Sequence, residues 1–192
     1  MNVDLWENIN NYLLSNNIDG AAVELESLLQ SATSDRFSSL AVSHFTNSPL
    51  EVFNHIEKFV CACQDQFDVR AVYLEMNGFD INYDRWYFDS FAYTIYSDDT
   101  EDMDWLCDWI SPNWDQLTLC GLEKTQDDFR WYIESKIYEY KTHDKVVEIA
   151  SLLVMIRFIQ LIRDSLSIDI TNDSIPLLAT AHDFDIFGRF TF

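Results

Sequence analysis

A chain of 192 residues that is 48% hydrophobic and 15% aromatic, with only four Gly and three Pro, is long enough for one sizeable core and excludes a linker or a disordered tract. Thirty-three Asp and Glu against twelve Lys and Arg leave a formal net charge of −21, which excludes affinity for nucleic acid or anionic membranes and favours basic partners. No basic segment followed by an apolar one opens "MNVDLWENIN", so the expectation is a cytoplasmic protein whose cysteines (Cys61, Cys63, Cys107, Cys120) stay reduced.

Leu5, Ile9, Tyr12 and Leu13 recur at helical spacing over 3–15, and Val23, Leu25, Leu28 and Leu29 over 19–32. Asp19 is the expected cap of the second helix, and Gly20 weakens its continuity with the first. Ser48, Pro49 and Glu51 spell the start of a third helix, with an apolar stripe through Leu50, Phe53, Ile56, Phe59, Val60 and Cys63. The period then falls from 3.6 to about 2. "VRAVYLEMN" reads as a strand with Val72, Leu74 and Met76 on one face, and "WYFDSFAYTIYS" as a second strand with Phe91, Tyr93 and Ile95 inward. "MDWLCDWI" fits either a strand or a helix; "SPNWD" reads as a turn and "QLTLCGL" as a short strand after it. Connections this short predict an antiparallel meander.

Two helices follow, near 123–141 and 143–166. The second is apolar almost all round and belongs in the core; Glu148, Arg157, Arg163 and Asp164 interrupt it and argue against a membrane span. "IPLLATAHDFDIFGRF" reads as a closing strand pair or an edge strand. The expected fold is therefore α+β, one domain over 1–192, with an antiparallel sheet of three to five strands packed against N-terminal and C-terminal helices. Its parts are a helical 1–67, a strand-rich acidic 69–120, a helical 123–166 and a terminal strand segment at 176–191.

Motifs for chemistry are sparse. An EF-hand loop begun at Asp80 places Arg85 where glycine is needed and Phe91 where a bidentate glutamate is needed; one begun at Asp98 places Met103 and Trp109 there. A weak, irregular cation site at 98–104 stays as an alternative. Cys61 and Cys63 form a C-x-C pair pointing to different sides of a helix, and His44, His55, His143 and His182 are scattered, so no zinc signature exists. There is no G-x-S-x-G elbow and no glycine-rich phosphate loop. No catalytic residue, metal ligand or cofactor is assigned.

The charge is uneven. Residues 71–115 carry eleven acids and a single base, Arg85, and so hold about half of the net charge. Carboxylates steer a basic partner and aromatic rings anchor it. The candidate partner-binding set is Glu75, Asp84, Trp86, Tyr96, Asp98, Asp99, Glu101, Asp102, Asp104 and Asp108, with those at 98–104 presented together on a loop. "YFDSFAYTIYSDD", "LTLCGLEKTQDDFRWY" and "PLLATAHDFDIFGRF" resemble, in type, the small acidic immunity proteins of bacterial polymorphic and contact-dependent toxin systems. That resemblance implies a non-catalytic cytosolic protein that neutralises a basic toxin domain, binding neither nucleic acid nor membrane. The alternatives are a carboxylate-dependent, metal-assisted hydrolase and a structural or regulatory interaction domain.

Overall fold

A computed structural model describes residues 3–32, 34–99, 102–140, 143–168, 175–185 and 187–192. Helix α1 (Val3–Leu14) and helix α2 (Ile18–Ser31) are joined by a tight turn in which Asn16 adopts a φ of 55°. Asn17, not Asp19, caps α2: its Oδ1 accepts from the Gly20 N–H at 3.0 Å. Asp19 already lies in the first helical turn and reaches sideways, accepting from Arg163 at 2.7 Å and Gln160 at 2.8 Å. Helix α3 (Pro49–Gln64) starts on its proline as the sequence predicts. Helix α4 (Glu123–Glu134) is shorter than expected. The chain takes a φ of 53° at Lys136 and turns into a 3₁₀ segment at Ile137–Tyr140. Helix α5 (Asp144–Leu166), about 34 Å long, is the spine of the molecule. It is buried among α2, α3 and the sheet, which is why it is apolar on nearly every side. Its one buried charge, Arg157, is paired with Glu26 at 2.8 Å and bonded to Gln160 at 2.9 Å, as burial of a guanidinium requires.

The sheet has five strands: β1 (Ala71–Met76), β2 (Tyr87–Tyr93), β3 (Leu117–Thr118), β4 (Pro176–Ala181) and β5 (Gly188–Thr191), in the order β3-β2-β1-β4-β5. It is mixed, which corrects the expectation of an antiparallel sheet. The meander holds for β1, β2 and β3, and β4 and β5 form a hairpin, but β1 and β4 run parallel. The intervening chain passes through α4 and α5 before β4 begins, and a crossover of that length delivers a strand in the same direction. The terminal segment thus forms a strand pair, with β4 inside the sheet and β5 at its edge.

One sheet face carries Val72, Leu74, Met76, Phe88, Ala92, Leu177 and Ala179 into the main core beneath α3 and α5. The inward set expected on β2 is accordingly on the wrong side. Tyr93 and Phe91 belong to a second, smaller cluster on the opposite face with Ala71, Tyr73, Leu178 and Trp105, and Ile95 is exposed beyond the strand end. A strand buried on both faces loses the alternation by which one side is told from the other.

The cover of that second face comes from the chain between β2 and β3 (94–116), through Met103, Trp105 and Leu106. Among its described residues this segment is neither strand nor helix apart from a 3₁₀ turn at Asp104–Cys107, which settles both readings of "MDWLCDWI". Ser, Asp, Asn and Pro recur at 97–99, 102, 104, 108, 111–113 and 115, residue types that favour turns over an extended ladder. The Asp104 N–H, for example, donates to Asp102 Oδ1 at 3.2 Å.

Candidate interaction surface

The 94–116 excursion is fastened to the sheet by its apolar side chains. Trp105 is buried edge-on against Tyr93, with centroids 5.0 Å apart, and Met103 and Leu106 pack beside it. The Tyr93 hydroxyl donates to the Leu106 carbonyl at 3.0 Å, and burial pushes its pKa above the ordinary tyrosine value. Farther along, Trp109 stands edge-on to Phe91 at 5.4 Å, and the Ile110 N–H donates to the Ala92 carbonyl at 3.1 Å. With the apolar residues committed inward, the carboxylates face water. Asp98, Asp99, Asp102, Asp104 and Asp108 are all exposed. No Lys, Arg or His occurs between Arg85 and Lys124. Among the described residues, no ion pair involves Asp98, Asp102, Asp104 or Asp108.

The other candidates divide differently. Glu101 lies outside the described residues. Tyr96 is on the surface beside the acids, 38% exposed, with its edge on Trp105 at 5.7 Å. Trp86 is a correction: it is fully buried between Phe45, Phe79 and Phe129, and its Nε1–H donates to the Phe79 carbonyl at 3.0 Å, so its ring cannot meet a partner. Asp84 is exposed in the turn joining β1 to β2, where Arg130 pairs with it at 3.2 Å. That turn and Glu75 stand at the opposite end of the β1–β2 hairpin from the point where the excursion leaves the sheet. The sequence cluster is therefore two separate groups.

Glu75 belongs to a second polar corner. Parallel pairing brings the carboxyl ends of β1 and β4 together, and the His182 N–H bonds the Met76 carbonyl at 2.8 Å. The Tyr73 hydroxyl donates to Glu75 Oε2 at 2.7 Å, and His182 Nδ1 lies 2.7 Å from Glu75 Oε1. The bond to Glu75 raises the His182 pKa against the opposing effect of burial, and burial raises that of Asp80 nearby.

Sequence reasoning passed over Trp109 and Ile110, about half exposed on the excursion, and Trp114, which packs edge-on against Phe59 at 5.7 Å. Their signal was the long base-free run they share with the acids. Among the described residues, no group of three or more His, Cys, Asp or Glu is placed to hold a metal ion, and no helix is long and apolar enough to cross a membrane. No protein-family model matches this chain, and no curated protein or solved structure matches it either.

Proposed function

We propose that the protein is a non-catalytic binding protein that neutralises a basic protein partner, most simply as the cytoplasmic immunity protein of a toxin, through the acidic excursion between β2 and β3. The observation that supports this reading is the division of labour within residues 94–116. Trp105, Met103 and Leu106 fix the segment to the sheet, and Asp98, Asp102, Asp104 and Asp108 are exposed and form no ion pair among the described residues. A surface that is both rigidly backed and uncompensated attracts a basic partner over a Debye length and fixes its orientation on arrival. Tyr96 adds an exposed ring beside the charges.

The test is co-expression with the products of genes adjacent to the protein's own. A neighbouring product that arrests growth alone and is neutralised by this chain supports the reading. Reversal of Asp98, Asp99, Asp102 and Asp104 to Lys should then slow association by roughly 10- to 1,000-fold at low salt, with a smaller change in dissociation, measured by surface plasmon resonance. Neutralisation with association rates unchanged by the reversal moves the interface elsewhere. Adjacent products that are neither toxic nor bound remove the immunity role.

A further inference from the structure

The edge of the sheet has a notch. Leu117 and Thr118 pair with Phe88 and Tyr87. Two residues beyond Ser90, the chain returning from the excursion closes the edge again: the Ile110 N–H donates to the Ala92 carbonyl, and the Ala92 N–H to Ser111 Oγ, both at 3.1 Å. Ser90 lies between these two closures with no ladder residue opposite it. Antiparallel alternation turns the backbone N–H and C=O of the even-numbered β2 residues toward this edge, so those of Ser90 face the gap. Ser90 lines the gap and is more than nine-tenths buried; its hydroxyl, on the same face of β2 as Phe88 and Ala92, has no hydrogen-bond partner.

The cavity at this place measures about 390 Å³, at the small end of the roughly 300–1,000 Å³ usual for ligand sites. That is room for one side chain rather than a large cofactor. Phe91, Trp109 and Trp114 supply aromatic walls, and Asp89 and Asp115 supply charge. Neither carboxylate enters an ion pair among the described residues. Asp89 accepts from a neutral donor, Gln116 Nε2 at 3.0 Å, whose own carbonyl oxygen accepts from Arg85 Nη1 at 3.1 Å. Trp109 is 51% exposed.

We propose that this notch receives one arginine side chain of the basic partner, its guanidinium lying on the exposed face of Trp109 and bonded to the Asp89 and Asp115 carboxylates. Arginine fits better than lysine because its planar, delocalised cation stacks on an indole and donates to carboxylates in the same pose. The identity of the occupant as a protein side chain rests on the reading of a basic protein partner; the chemistry of the notch does not.

The experiment therefore uses no partner. Nα-acetyl-arginine N-methylamide is titrated into the full chain while the indole N–H signals are followed by ¹H–¹⁵N NMR, with the isosteric, uncharged citrulline derivative as control. The expected result is a saturable shift of the Trp109 and Trp114 signals, half-complete at roughly millimolar concentration, and no saturable shift with citrulline. Trp109→Ala and Asp115→Asn should each raise the concentration needed at least tenfold. Absence of a saturable shift, or equal shifts with citrulline, overturns the notch even where a toxin is neutralised. A saturable, charge-dependent shift upholds it even where no neighbouring toxin exists.

Discussion

His182 follows the last residue of β4 and holds Nδ1 at 2.7 Å from Glu75 Oε1, with Nε2 3.6 Å from Asp183. The Glu75 bond raises its pKa above the ordinary 6.5. A histidine raised in the folded state contributes stability that is complete below about pH 6.5 and is lost as the pH rises through the higher folded value. His55 has the opposite sign. It lies on α3 between the rings of Phe88 and Trp114, and burial lowers its pKa; His44 is lowered by burial too. Between their lowered values and about 6.5 the unfolded chain binds more protons, so stability falls as the pH falls through that interval. Urea midpoints measured from pH 5 to 8 should show both effects. His182→Gln should flatten the decline above pH 6.5 and leave the acid side alone; His55→Gln should flatten the acid side. An alkaline decline unchanged by His182→Gln places its origin in another group. Trp86 makes the matching point about reading residues: beside Asp84 and Arg85 it looks like a surface anchor, and only the three rings around it, from residues 45, 79 and 129, place it inside.

At the scale of elements, the excursion and its clamp form a unit whose stability can differ from that of the main core. Trp105 is its principal contact, touching both Tyr93 and Tyr96, and the second cluster contains few other fully buried residues. Trp105→Ala should therefore release residues 102–110 locally: backbone amides there should exchange at least tenfold faster while amides of α5 keep their protection. Equal acceleration in both would mean that the two clusters unfold together. The helices were legible because their apolar stripes repeat at i+3 and i+4 over three or more turns, as in Ile56, Phe59, Val60 and Cys63 of α3. The excursion was not, because "MDWLCDWI" puts Trp105 and Trp109 on one side of either a strand or a helix, and the chain uses neither. The two tryptophans dock on different rings, those of Tyr93 and Phe91, from irregular backbone.

The net charge of −21 acts on the molecule as a whole. Self-repulsion favours expansion of a chain so charged, whereas the ion pairs oppose it. Most of those pairs have at least one exposed partner, such as Arg130–Asp84 and Arg163–Asp19, and exposed pairs contribute only about 0–1 kcal/mol each. Repulsion should therefore dominate, and screening it should stabilise the fold. Raising NaCl from 0.01 to 0.5 M shortens the Debye length from about 30 Å to a few ångströms, and the urea midpoint at pH 7 should rise across that range. Replacing Asp98, Asp99, Asp102 and Asp104 with Lys takes the charge from −21 to −13 and should reduce the slope of the midpoint against salt. A midpoint that falls with salt would show that the ion pairs outweigh the repulsion. The same balance bears on what the sequence could reveal. Composition marks the charge imbalance and places it in 71–115, but the parallel pairing of β1 with β4 joins segments a hundred residues apart across α5, and no local pattern encodes it. That pairing seats Glu75 beside His182, at the opposite end of the β1–β2 hairpin from the start of the excursion.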